Sequence, residues 1–198
     1  MNRPNREEYY MAIANLASTR STCLSRRVGA IIVKDDNPIS FGYNGPAKGV
    51  CHCEDIGGCR RRQKPDYKSG AYLELCPASH AEQNAIAFAA RHGISTVGAT
   101  VYVNTFPCKD CMNSIINAGI TKIIYNSSYN AELSENIAKD ANIEVKRYEG
   151  RSLELILKDF EYLSYDNLLD GLNKEEKIKI AKELIRDLSK EELNQIIK

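Results

Sequence analysis

The amino-acid sequence predicts an α/β domain built on a central sheet of about five strands, with a helical extension at its C-terminal end. Three observations point there. Short apolar runs alternate with helix-period segments in the order α-β-β-α-β-α-β-α-β, turn signals separate them, and the character of the chain changes past Gly150. The expected organisation is a domain over residues 1–150 that carries a cysteine-rich insert at 44–79, then a helical extension over 151–198.

Residues 5–18 carry Tyr9, Ile13, Leu16 and Ala17 at helical spacing. Val28 to Val33 and Ile39 to Tyr43 flank the turn signal Asp35-Asp36-Asn37-Pro38, so residues 28–43 read as a hairpin. Residues 44–79 are rich in Gly, Pro, Cys and charge and have no period; so long a loop in a small domain needs a reason, and a bound metal is one. A helix begins at Ala81 with Ala85, Phe88 and Ala89 on one face and stops at Arg91-His92-Gly93. His92 reads as its C-terminal cap. Thr100 to Val103 is a strand, Pro107 opens a helix to about Ala118, and Lys122 to Tyr125 is a strand. Residues 130–141 form a helix and Ile143 to Tyr148 a strand. In the extension, Asn173 with Glu176 and Ser189 with Glu192 are spaced as capping boxes for two short helices. Ile178, Ala181, Leu184, Ile185 and Leu188 make one stripe, which suits packing on its own domain or a subunit contact.

Composition narrows the function. Hydrophobic residues make up 43% and charged residues 27%, as in an ordinary globular protein. The 27 Lys and Arg against 26 Asp and Glu give a net charge of +1, which argues against a partner such as a long nucleic acid. The short run Arg60-Arg61-Arg62 with Lys64 reads as a solvated loop, with a phosphate contact as the alternative. No apolar run is long enough to span a bilayer, and residues 1–4 lack a signal-peptide core, so the expected location is cytoplasmic, with no membrane partner. In that reducing setting seven cysteines, six of them in two clusters, point to metal ligation rather than disulfides.

The chemistry concentrates in His80-Ala81-Glu82 and Pro107-Cys108-Lys109-Asp110-Cys111. This H-x-E and P-C-x-x-C pair is the signature of zinc nucleobase deaminases. Cys108 and Cys111 are three apart, so at a helix start they point the same way, where the helix dipole favours thiolates. With His80 they supply three zinc ligands and leave a tetrahedral position open, whereas a structural site would be closed by four. His80 and Glu82 are two apart, so the motif must sit at a loop-to-helix junction. Glu82 is not needed as a ligand and is expected to carry protons from the attacking water to the ring nitrogen and to the departing ammonia.

The stretches Thr22 to Ala30, Gly42-Tyr43-Asn44-Gly45 and His80 to Ile86 resemble the deoxycytidylate (dCMP) deaminase family, within the cytidine deaminase-like superfamily, over about residues 5–148. The resemblance implies a three-layer α/β/α cytidine deaminase-like fold with a mixed sheet, conversion of dCMP to dUMP and ammonia for thymidylate synthesis, and a homo-oligomer, usually a hexamer. It implies that Asn44 and Tyr129 contact the nucleotide, and that Arg26 and Arg27 lie near a site for the effectors dCTP and dTTP, with magnesium accompanying the nucleotide. The effector loop Asn44 to Gly49 has its Pro one place earlier than the usual pattern, which leaves regulation open. The resemblance also implies a second, structural zinc on Cys23, Cys53, Cys59 and Cys76; Cys51 or His52 could replace one thiolate.

Two rival readings remain. A deaminase of another nucleoside, nucleotide or tRNA base would share the same core, although the +1 charge disfavours tRNA. A non-catalytic zinc module that binds nucleotides would have no use for Glu82.

Overall fold

The computed structural model describes residues 3–68, 71–128, 131–161, 173–176 and 178–179. Helix α1 (Arg6–Ser18) starts at a capping box in which Asn5 Oδ1 accepts from the Glu8 N–H and the Glu8 carboxylate accepts from the Asn5 N–H, both at 2.9 Å. Strands β1 (Gly29–Lys34) and β2 (Asn37–Tyr43) form the expected hairpin. Its turn residues Asp35 and Asp36 have φ of 49° and 58°, the left-handed pair that matches strand twist. There follow β3 (Gly45–Pro46), β4 (Ala78–Ser79), α2 (Ala81–Arg91), β5 (Thr100–Thr105), α3 (Lys109–Asn117), β6 (Lys122–Ser127), α4 (Glu132–Asp140), β7 (Glu144–Arg147) and α5 (Leu153–Glu161).

The sheet has five strands in the order β2-β1-β5-β6-β7, antiparallel through β2, β1 and β5 and parallel from β5 to β7. Alternate side chains face opposite layers, and both faces are covered. Ala30, Ile32, Val101, Val103 and Ile123 pack against Ala85 of α2, Met112 and Ile115 of α3 and Ala138 of α4. Ile31, Val33, Tyr102 and Ile124 pack against Tyr10, Met11 and Ala14 of α1. This is the three-layer α/β/α arrangement. Each fully buried Ile or Met contributes roughly 1.5–3 kcal/mol.

The buried stripe of α1 is not the one its helical spacing suggests. Tyr9 and Leu16 are 50% and 60% exposed, while Tyr10, Met11 and Ala14 are buried. The cause is backbone contact: Gly29 lies so close to Ala14 and Ser18 of α1 that a Cβ there would overlap both backbones, so the small Ala14 has to face the sheet. Tyr10 then packs against Tyr102, ring centroids 5.2 Å apart and planes tilted by 54°, and donates its hydroxyl to the Asp36 carbonyl at 2.5 Å. On α2, likewise, Phe88 is 39% exposed while Ala81, Ala85 and Ala89 are buried. Gly42 sits against Ala81 and Ala85 of α2 as closely as Gly29 does against α1.

The insert is closed at its root by the two-residue pair of β3 with β4, Gly45 opposite Ser79 and Pro46 opposite Ala78. His92 caps α2 as expected, its Nδ1 2.8 Å from the Phe88 carbonyl oxygen. Residues Asn2–Ile156 form one compact unit, and the chain from Leu157 onward falls outside it. There, Asn173 Oδ1 accepts from the Glu176 N–H at 3.0 Å and the Glu176 carboxylate accepts from the Asn173 N–H at 2.8 Å, which makes the first of the two expected capping boxes. Ser189, Glu192, Ala181, Leu184, Ile185 and Leu188 lie outside the described residues; Ile178 is 45% exposed. Among the described residues no helix is long and apolar enough to cross a membrane.

Candidate active site

His80 is the N-cap of α2, with extended backbone (φ −79°, ψ 160°), and its N–H donates to Gln83 Oε1 at 3.2 Å. The junction required by the His-x-Glu spacing is therefore present, and Glu82 lies in the first turn. Two hydrogen bonds fix α2 to β2: Ser40 Oγ to the Ala85 carbonyl at 2.5 Å and Asn84 Nδ2 to the Tyr43 carbonyl at 2.8 Å.

The second half of the motif differs from expectation by two residues. Pro107 does not open the helix: Cys108 is the N-cap (φ −71°, ψ 169°) and α3 begins at Lys109. The first intrahelical bond is Met112 N–H to the Cys108 carbonyl at 2.8 Å, and Pro107, fully buried, accepts from Ser134 Oγ at 2.8 Å. Cys111, one turn into α3, is fully buried.

These junctions bring three ligand atoms together. His80, Cys108 and Cys111 hold theirs within 4.8 Å of one another, the sole such trio among the described residues. His80 Nδ1 is 3.3 Å from each of the two Sγ atoms. Zinc bonded at about 2.0 Å to nitrogen and 2.3 Å to sulfur in a tetrahedron separates those atoms by roughly 3.6 Å, so the donor set and its spacing fit zinc.

Electrostatics shows how closely the groups interact. The Cys108 thiol is pushed down to about 4, first by the hydrogen bond from Cys111 and then by His80. Cys111 is pushed up by that same bond and by burial. The bond to Cys108 raises His80. A divalent cation held here would keep both thiols as thiolates. Glu82 is 4% exposed, and burial raises its pKa.

The cluster lines a cleft of about 860 Å³. His80, Glu82 and Cys108 share it with Asn44, Val28 and Phe106. Asn44 is largely committed to the fold: its Oδ1 accepts from Val28 N–H at 2.8 Å and from Ser21 Oγ at 2.6 Å, and its Nδ2 donates to the Arg26 carbonyl at 2.9 Å. One Nδ2 hydrogen is left for a ligand. Of the two expected effector residues, Arg26 lines this cleft and Arg27 does not. Tyr129 lies outside the described residues.

Cys23, Cys53, Cys59 and Cys76 line a separate hollow of about 20 Å³, but no three of them hold their sulfur atoms within 4.8 Å of one another as the His80 trio does. Burial first, then the neighbouring Cys59, Cys76 and Cys23, push the Cys53 thiol up. Cys51 is exposed and His52 Nδ1 is 2.7 Å from Thr22 Oγ1; neither lines the hollow. Sequence reading did not single out Ser21, Ser25 or Tyr67 as site residues. No spacing rule marks them: Ser21 and Ser25 precede the insert that carries Tyr67, and tertiary contacts alone join them to Asn44 and Tyr67.

Residues 4–127 match the family model of the cytidine and deoxycytidylate deaminase zinc-binding region. The chain is 37% identical over 147 residues to the deoxycytidylate deaminase of Saccharomyces cerevisiae, a match that covers 74% of this chain and 46% of the yeast protein. The chain thus spans just under half the length of that relative. It is 40% identical over 131 residues to the deoxycytidylate deaminase of Mycobacterium phage D29, covering 63% of this chain and 97% of the phage protein. Among solved structures it resembles the dCMP deaminase of cyanophage S-TIM5 in complex with dCMP and dUMP, with a TM-score of 0.61 and 28% identity over 75% of this chain and all of that one.

Proposed function

Because the chain belongs to the cytidine and deoxycytidylate deaminase family, we propose that it hydrolyses dCMP to dUMP and ammonia. The observation that carries this reading is the convergence of His80, Cys108 and Cys111, with His80, Cys108 and the buried carboxyl of Glu82 lining one cleft. The choice of dCMP is supported by the likeness to a phage enzyme solved with dCMP and dUMP.

In this reading His80, Cys108 and Cys111 hold zinc, which when bound supplies a Lewis acid that makes water nucleophilic at neutral pH. Glu82 takes one proton from the attacking water and gives it to the ring nitrogen beside the amine-bearing carbon. It then moves the second water proton to the amine. A carbon–oxygen bond forms, the carbon–nitrogen bond breaks and ammonia leaves. Burial of Glu82 suits this task, because a carboxyl whose proton is held more tightly than usual can act as both acid and base near neutrality. The remaining Nδ2 hydrogen of Asn44 would contact the nucleotide, and Tyr129 would lie beside it.

The four-thiolate set Cys23, Cys53, Cys59 and Cys76 would hold a second, structural zinc, since all four surround one hollow in an insert with little apolar content. Control by dCTP and dTTP through Arg26 and Arg27, magnesium with the effector, assembly into a homo-oligomer and a cytoplasmic setting that keeps the thiols reduced belong to the same proposal.

The test is ammonia release by zinc-loaded protein from dCMP, deoxycytidine, cytidine and adenosine, with and without dCTP. The expected result is much faster turnover of dCMP than of the other three. Zinc-loaded protein that leaves dCMP untouched would overturn the reading.

A further inference from the structure

The two loop-to-helix junctions that carry the metal trio are held by different means. At the first, Gln83, the third residue of α2, reaches back and accepts from the His80 N–H at 3.2 Å. At the second, the Cys108 side chain makes no cap, and the third residue of α3 is Cys111, itself a member of the trio. The approach to Cys108 runs from the end of β5 through Phe106, whose N–H donates to the Ser127 carbonyl at 2.7 Å, and then Pro107, which has no N–H to anchor it.

The missing hold comes from α4. Ser134 is 2% exposed, and its hydroxyl donates to the Pro107 carbonyl at 2.8 Å. A serine within a helix commonly returns its hydroxyl to its own backbone or turns it to water. Ser134 instead bonds a peptide 27 positions away. The peptide between Pro107 and Cys108 is a rigid plane, so holding its oxygen sets where Cys108 starts. Cys108 Sγ then lies 3.3 Å from His80 Nδ1.

We infer that Ser134 is a positioning residue for the metal centre: by holding the Pro107 carbonyl it places the Cys108 sulfur, and so makes metal affinity depend on how α4 is seated. The inference rests on His80, Cys108 and Cys111 being the zinc ligands. Without the hydroxyl a buried carbonyl loses its partner, and turning the peptide to relieve that cost carries Cys108 with it. Partners that hold metal ligands in place typically change affinity about 10- to 100-fold when lost.

Zinc bound per full chain against chelator-buffered free zinc tests it, in the parent, Ser134→Ala, Ser134→Thr and Ala138→Gly. Cys108→Ser reports zinc held elsewhere, which is subtracted. Ser134→Ala should weaken the Cys108-dependent zinc roughly 10- to 100-fold. Ser134→Thr keeps the hydroxyl and should stay near the parent. Ala138→Gly removes a buried methyl from the same helix but leaves the Ser134 hydroxyl in place, so it should lower the urea midpoint and leave zinc affinity unchanged. Equal zinc affinity in the parent and Ser134→Ala, or an equal loss in Ala138→Gly, would overturn the inference. A parent without Cys108-dependent zinc would overturn it together with the ligand assignment. Zinc affinity that depends on Ser134, in a chain that releases no ammonia from dCMP, would refute the deaminase reading and uphold this one.

Discussion

Glu8 and Arg151, 143 positions apart, are joined by a two-pronged ion pair: Arg151 Nε to Glu8 Oε1 at 2.9 Å and the terminal nitrogen to Oε2 at 3.0 Å. The same carboxylate also caps α1 through the Asn5 N–H. One side chain thereby fixes the start of the first helix to the segment that leaves the last strand.

This pair predicts a pH dependence of stability. Hydrogen bonds from Arg151 first, then from Asn5, lower the Glu8 pKa to about 2. Its contribution is complete above the unfolded carboxyl value of about 4.3. It falls away as pH drops from there through about 2, because the unfolded chain takes the proton first. Glu8→Gln should destabilise the protein by roughly 1–3 kcal/mol at neutral pH. Urea midpoints of parent and variant should converge between pH 5 and 2; parallel curves would contradict this.

Glu82→Gln should lower ammonia release by at least about a thousand-fold, within the range that general acid–base groups supply. Zinc content should be unchanged, because the three ligands stay in place. A variant that keeps a tenth of the parent's turnover would refute the proton-carrier role.

Metal analysis of the full chain should give two zinc ions per protomer, and one when Cys59 and Cys76 are both replaced by Ser. Cys108→Ser should remove the other. A single zinc in the parent would rule out the second site.

Gly42→Ala should be damaging out of proportion to one methyl group. The new Cβ would overlap the backbone of α2 at Ala81 and Ala85, and α2 carries Glu82. Overpacking of this kind costs roughly 1–3 kcal/mol. Turnover should fall more than stability, and a variant that retains parental activity would show that α2 can shift without moving Glu82 out of place.

Much of this architecture was legible beforehand, for reasons that also explain the gaps. Val28 to Val33 and Thr100 to Val103 read as strands because β-branched runs bounded by turn residues have few other uses. The metal trio was legible because ligand spacing is local: His80 at one helix start, Cys108 and Cys111 at another. The face of α1 was not, because a helical wheel weighs side chains and cannot register that the backbone of Gly29 presses on Ala14. Buried Glu8 was invisible for the same reason, since its partner Arg151 lies far along the chain. A helical extension past Gly150 was legible, but the bounds of α5 at Leu153–Glu161 were not, and the β3–β4 pair escaped because two-residue pairing across more than thirty positions leaves no periodic trace.

That pair has a wider meaning. The insert leaves the domain beside Asn44 and returns beside His80, and Gly45 and Ser79 face each other at its neck. A segment with adjoining ends can be lengthened, shortened or exchanged at small entropic cost to the rest of the chain. The insert and the cluster of His80, Cys108 and Cys111 are therefore separable modules of the fold, and exchanging the loop at this neck should leave that cluster in place.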